Sequence, residues 1–268
     1  MQPCTIGKIC IGRQRPVLMS VVNISPESFF SGSYVPDDRI LTTAERMIAQ
    51  GADMIDIGAR STAPGSSPIS VGTETERVIT ALKTLEGSGI ITSLDTMHPE
   101  VLQAAMRYDI HAANDISGLK NPKMAKIIAD NDLPAILMAS FQAPGDCLSF
   151  SDTLSALKTV TNRATDADID SYILDPGIGR WIPDRTPESD FELCQRFAEL
   201  RQFNRPLLAA VSRKSCIGSA TGREPEGRLA GTLAVTTYLV LAGASIIRSH
   251  DVPETRDLIQ VIASIQEA

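Results

Sequence analysis

Eight apolar runs of strand length alternate along this chain with stretches of helical patterning, at a spacing of about 30 residues. They are Val17–Val22, Met54–Ile57, Ile90–Leu94, Ala112–Asn114, Ala135–Met138, Tyr172–Leu174, Leu207–Val211 and Ser245–Ile247. No low-complexity linker interrupts the series. Such an alternation makes neighbouring strands parallel, because each helix carries the chain back to the edge where the next strand starts. An open doubly wound sheet and a closed barrel both satisfy the pattern. Eight units in 268 residues favour the barrel, a single-domain α/β chain of the (β/α)8 (TIM barrel) kind spanning residues 1–268.

In either topology the ligand-binding groups collect just past the carboxyl ends of the strands. Here those positions hold Asn23, then Asp56 with Arg60 and Thr62, then Asp95, Asn114-Asp115, Ser140 and Asp175. Ser212 through Lys214 and Arg248 with His250 complete the series. A lone aspartate at a strand end usually caps a loop. A ring of carboxylates, amides and cations is a different matter, since buried charge needs a partner or a ligand. The ring divides by sign, with Asp95 and Asp175 on one arc and Lys214, Arg248 and His250 on the other. It suits a ligand with a flat, donor-rich end and an anionic end. The segment Ser212-Arg213-Lys214-Ser215, two cations between two hydroxyls, reads as the anion-binding part.

The net charge of −7 argues against a broad nucleic-acid surface, while leaving room for a local cationic pocket. Five cysteines share no CxxC spacing, and no secretory signal opens the chain. They read as reduced thiols of a cytoplasmic protein, Cys216 among them as a buried, inert thiol. No apolar run approaches the roughly 18 residues a membrane helix needs, so no membrane association is expected. Two long loops, Asn23–Asp37 and Gly58–Gly72, are rich in Ser, Pro and Gly and read as covers that close on substrate. The helical segment Arg228–Gly243 is apolar around much of its circumference, which implies deep burial or a homodimer contact. Thr236 and Thr237 are its candidate solvent-facing points.

The ordered strand ends resemble those of dihydropteroate synthases and, more widely, of the pterin-binding (β/α)8 family. The resemblance runs along nearly the whole chain. It is carried by Val22-Asn23-Ile24-Ser25-Pro26-Glu27-Ser28-Phe29, Gly51 through Gly58, Ser61-Thr62 and Leu94-Asp95-Thr96. Further on it includes Asn114 through Gly118, Asp175-Pro176-Gly177-Ile178-Gly179, Ser212 through Ser215, and Arg248-Ser249-His250-Asp251. It implies condensation of 6-hydroxymethyl-7,8-dihydropterin diphosphate with 4-aminobenzoate or a related arylamine, releasing diphosphate. Asp175 and Asn114 then read the pyrimidine edge of the pterin, Asp95 its other edge, and Lys214 donates to the carbonyl side. Asn23, Arg248 and His250 resemble the diphosphate and Mg²⁺ site, with Asn23 as the metal ligand. Arg60 and Thr62 fall among the substrate-binding positions. Ser215 is placed to hold the arylamine's carboxylate. Asp95, Lys214 and Arg248 would be the catalytic groups.

The chain departs from that family in its loops. Ala63 stands where an arginine follows Ser-Thr, and Arg60 where a glutamate precedes it. Arg60 is read either as a diphosphate contact or as a salt bridge on the cover. Glu27 replaces an aspartate, Ser140 ends a segment lacking the usual His-Met, and Arg180-Trp181 replaces an aromatic. Pterin recognition is therefore the firmer expectation, and the arylamine the looser one. A pterin-dependent methyltransferase or a non-catalytic pterin-binding barrel are the competing functions. Lys214, Arg248 and His250, suited to a diphosphate, favour the synthase.

Overall fold

A short antiparallel hairpin precedes the repeat: β1 (Cys4–Ile6) and β2 (Ile9–Ile11), turned through Gly7 in the left-handed region. Strands of three residues are too short to show a period, so the hairpin is absent from the sequence reading. The computed structural model describes residues 1–13, 15–27, 34–61 and 67–267. Thr62 and Ala63, and most of each expected cover tip, lie outside the described residues.

The repeat supplies eight parallel strands. They are β3 (Val17–Asn23), β4 (Met54–Gly58), β5 (Thr92–Asp95), β6 (Ala112–Asp115), β7 (Ala135–Met138), β8 (Tyr172–Asp175), β9 (Leu208–Ala209) and β10 (Ile246–Ser249). Their order is β8-β7-β6-β5-β4-β3-β10-β9. A parallel bridge between Leu174 and Leu207, with the Leu174 N–H on Pro206 O at 2.9 Å, joins the two ends of that order. The sheet is thus a closed barrel, and the open alternative is excluded. Three strands differ from expectation by two residues or more at an end. The third begins later, at Thr92–Asp95, and the eighth runs on to Ser249. The seventh shrinks to two residues and is followed by a turn, Lys214 N to Val211 O.

The helices follow in order: α1 (Ile40–Ala49), α2 (Val71–Leu85), α3 (Pro99–Ala105), α4 (Pro122–Asp130), α5 (Phe150–Asp166), α6 (Pro187–Gln195), α7 (Ser215–Thr221), α8 (Leu229–Leu241) and α9 (Val252–Glu267). Local chemistry starts several of them. Ser70 accepts from Thr73 N, and Ser149 with Asp152 forms a capping box.

Period-two alternation along each strand separates two cores. Outward residues such as Leu18, Ile55, Leu94, Leu137 and Leu174 pack under the helices. Inward residues at the strand starts, including Val17, Met54, Ala112, Ile173, Leu208 and Ile246, pack on Cys4, Ile6 and Ile11 of the hairpin. One end of the barrel is therefore filled with apolar side chains and covered by β1–β2. The inward positions one and two steps further along the strands are left for chemistry.

Helix α8 reverses the expectation for Thr236, while Thr237 is half-buried. Thr232 and Thr236 are buried against the barrel, with Thr232 Oγ1 accepting from Arg213 N at 3.0 Å. Tyr238 and Leu241 are the exposed ones, at 51% and 63%. Small side chains let the helix sit close to the barrel, which turns its bulk outward.

Candidate active site

The inward residues at the carboxyl ends of five strands are Asn23, Asp95, Asn114, Asp175 and Arg248. Register explains their convergence: Asn23 is opposite Gly58, Gly58 opposite Asp95, and Asp95 opposite Asn114. Together they line a cavity of about 250 Å³. Arg60, Lys214, Ser215 and His250 join it from the loops. The neighbouring Asp115 points outward instead and accepts from Ser117 N and Leu119 N at 2.8 Å each, a loop cap.

The expected division of the ring by sign does not hold. Arg248 donates through Nε to Asp56 at 2.7 Å and through Nη2 to Asp95 at 3.0 Å, so a cation of one arc lies among the carboxylates of the other. The strand order places only β3 between β10 and β4, and an arginine is long enough to cross that gap. Asp56 is the residue whose weight the sequence understates. It is fully buried and also accepts from Asn114 Nδ2 at 3.1 Å and from Ser93 Oγ. Its signal in the sequence is phase, since it lies two residues before Gly58 on the same inward face.

Burial and the nearby Asp56 push the Asp95 carboxyl up to about 7, against the pull of Arg248. Burial also raises Asp175, while a hydrogen bond from Gly177 N at 2.8 Å and the charge of Lys214 oppose it. Lys214 is lowered by burial and by Arg248. His250 is lowered to about 4 by burial, then by Arg248, and is neutral at pH 7. Its Nδ1 lies 3.0 Å from Ser212 Oγ. The cavity combines a carboxyl poised near neutrality with a cation and a neutral imidazole. Such perturbed groups in a cleft mark a functional site.

The two cations of the Ser-Arg-Lys-Ser segment part company. Arg213 has φ +57° and turns away from the cavity. It forms a forked pair with Asp251 at 3.0 and 2.6 Å and donates to Pro225 O and Glu226 O. Only Lys214 faces the cavity, its Nζ 4.8 Å from the centre of the Trp181 ring. Trp181 is held by Nε1 donating to Gly177 O at 3.0 Å. Arg180 lines the same region. Arg60 lines the cavity and makes a salt bridge, Nε to Glu74 at 2.7 Å. Glu27 leaves the cavity for Arg77, forming a forked pair at 2.9 Å for each oxygen. Cys216 is buried, and burial raises its thiol to about 11, so it is no nucleophile.

Residues 19–250 match the family described as pterin binding enzyme, the class that this barrel and cavity define. Within that class the chain belongs to the dihydropteroate synthase family. The dihydropteroate synthase of Escherichia coli K12 is 33% identical over 264 residues, covering 94% of this chain and 93% of that protein. The type-3 dihydropteroate synthase of Escherichia coli is 32% identical over 256 residues, covering 91% and 97%. The Yersinia pestis dihydropteroate synthase in complex with a sulfonamide drug is 29% identical with a TM-score of 0.90, covering 99% of both chains. That of Xanthomonas albilineans with 4-aminobenzoic acid is 31% identical with a TM-score of 0.86, covering 99% and 98%.

Proposed function

We infer that this chain is a transferase that joins 6-hydroxymethyl-7,8-dihydropterin diphosphate to 4-aminobenzoate or a related arylamine, releasing diphosphate. The observation that supports it best is the set Asp95, Asn114, Asp175 and Lys214 on one cavity, with Arg248 and His250 beside them. The flat pterin would lie against the first four. Asp175 accepts from its amino and ring N–H groups, and Lys214 donates to its carbonyl side. One N–H of Asn114 is engaged by Asp56, which orients the rest of the amide toward the ring.

In the reaction the bond from the pterin methylene to the diphosphate oxygen breaks and a carbon–nitrogen bond to the arylamine forms. Positive charge spreads from the methylene into the ring as diphosphate leaves. The Asp95 carboxylate stabilises that charge, and Arg248 with neutral His250 offers donors to the departing oxygens. The arylamine is uncharged at pH 7 and attacks without a strong base. Ser215, at the start of α7, is placed to hold its carboxylate.

Mg²⁺ is the ion this reading calls for. Among the described residues no group of three or more His, Cys, Asp or Glu could hold a metal. Asn23 lies at the cavity edge, where its amide oxygen accepts from Ser25 N at 3.0 Å. An amide oxygen has two lone pairs, and Mg²⁺ takes most of its ligands from phosphate and water, so one such ligand fits the ion. Bound there, Mg²⁺ would neutralise leaving-group charge. A homodimer through the outer face of α8, where Tyr238 and Leu241 are exposed, and a cytoplasmic location suited to five free thiols complete the proposal.

The test is diphosphate release from the pterin diphosphate with Mg²⁺ and a panel of arylamines. Release that depends on 4-aminobenzoate, with dihydropteroate formed, is expected. Methyl transfer without diphosphate release would overturn it.

A further inference from the structure

The cover loop after β4 begins with a buried charge cluster that the reaction outlined above leaves unused. Glu74, in the first turn of α2, is 1% exposed. One of its oxygens accepts from Arg60 Nε at 2.7 Å, and the other from Thr96 Oγ1 at 2.6 Å. His98 Nε2 lies 3.8 Å from the same carboxylate. A buried carboxylate holds a cation bonded at 2.7 Å strongly, because separating them strands a charge out of water.

The pairing uses Arg60 through Nε. In the forked carboxylate pairs elsewhere in the chain, such as Arg77 with Glu27 and Arg213 with Asp251, two nitrogens of the guanidinium meet two oxygens. In the Arg60 pair the second carboxylate oxygen belongs to Thr96 instead. The guanidinium is thus anchored at one edge while Arg60 lines the cavity. Its place there follows from register. Arg60 lies two residues past Gly58, and Gly58 pairs with Asn23 on one side and Asp95 on the other. Arg60 therefore stands at the cavity rim between the ends of β3 and β5, and Asn23, on whose side the proposed function puts the diphosphate, is one of its two neighbouring strand ends.

We propose that Arg60 is a diphosphate-binding residue of this site and that Glu74, with Thr96 behind it, is the positioning residue that sets the plane of its guanidinium. The inference rests on the proposed function for the identity of the anion. Two Nη groups on a fixed planar fork match two phosphate oxygens, which a lysine ammonium cannot do. The cluster makes the cation of this loop part of the barrel wall through α2 and β5, and independent of the loop's tip.

The experiment is calorimetric titration with inorganic diphosphate and Mg²⁺, and separately with 6-hydroxymethyl-7,8-dihydropterin. Removing Arg60 alone would leave Glu74 buried and unpaired, so the charge-free double variant Arg60→Met with Glu74→Gln is used. Diphosphate affinity should fall about tenfold, the scale of one charged hydrogen bond, with pterin affinity kept within about twofold. Arg60→Lys should recover only part of the loss. Glu74→Gln keeps an acceptor for Nε and should retain more of the diphosphate affinity than Glu74→Ala, which removes the anchor altogether; equal losses in the two would remove Glu74 as the positioning residue. Full diphosphate affinity in the double variant would overturn the inference and leave the proposed function standing. A wild-type chain that binds no diphosphate would overturn both.

Discussion

Arg248 Nε and the fully buried carboxylate of Asp56 meet at 2.7 Å inside the barrel, joining β10 to β4. The same guanidinium holds Asp95, and the proximity of Asp56 is one reason Asp95 titrates near 7. This arrangement ties the stability of the empty barrel and its catalytic competence to one proton.

Asp95 has a folded value raised above the roughly 3.9 of a free aspartate. Between about pH 4 and 7 the folded state holds more protons than the unfolded one, so stability falls as pH rises through that window. Neutral His250, lowered to about 4, acts with the opposite sign between about pH 4 and 6.5, so the share of Asp95 is read by comparing wild type with Asp95→Asn. In denaturant melts at pH 5 and pH 8, the wild type should lose stability relative to Asp95→Asn on going to pH 8. The same pH dependence in wild type and variant would contradict the assignment.

Catalysis should follow the opposite sign. The ionised carboxylate is the form that stabilises a pterin cation, so kcat/KM for the pterin diphosphate should rise with pH and level off above about 7. In Asp95→Asn the rate should be low and lack this inflection. A profile shared by wild type and variant would assign the ionisation elsewhere.

Asp175→Asn replaces an acceptor with a donor opposite ring N–H groups. Pterin affinity should drop by about 1.5–3 kcal/mol, the worth of a charged hydrogen bond. Calorimetry with the bare pterin alcohol reads this directly. Unchanged affinity would remove Asp175 from the pterin edge.

Arg213→Ala should act on folding and leave diphosphate affinity alone. The pair it makes with Asp251 is largely buried, and breaking such a pair costs about 3 kcal/mol. A denaturation curve should shift accordingly while titration with diphosphate and Mg²⁺ does not. Loss of diphosphate binding at full stability would return Arg213 to the site.

On the outer face of α8, Leu241→Glu combined with Tyr238→Ser should convert a dimer to a monomer. Both side chains are exposed in the single chain, and Tyr238 adds one exposed hydrogen bond, from its hydroxyl to Gln195 O at 3.4 Å. Sedimentation velocity checks this. A wild type already monomeric at high concentration would dispose of the dimer.

Much of the barrel was legible because apolar runs of strand length alternate with helical patterning, and eight α-helices of seven to seventeen residues, α1 to α8, fill the seven gaps from β3 to β10. Asn23, Asp95, Asn114 and Asp175 could be read as a group because each ends a run of apolar neighbours. The hairpin β1–β2 could not, since six residues carry no period. Nor could the fate of Arg213 and Lys214. Adjacent in sequence, they diverge because a left-handed φ at Arg213 sends its side chain to Asp251 and leaves Lys214 to the cavity.

Local patterning along the chain was enough for the number of barrel strands, their parallel sense and the residue types at their ends, because these depend on periodicity and on chain reversal through helices. Which charges meet was set by the folded ring. The pairing of Arg248 with Asp56 and Asp95, and of Arg60 with Glu74, depends on closure of the ring and on strand order, which bring residues up to 192 positions apart within hydrogen-bonding distance. Electrostatic energy is set by separation in space, and separation along the chain does not encode it.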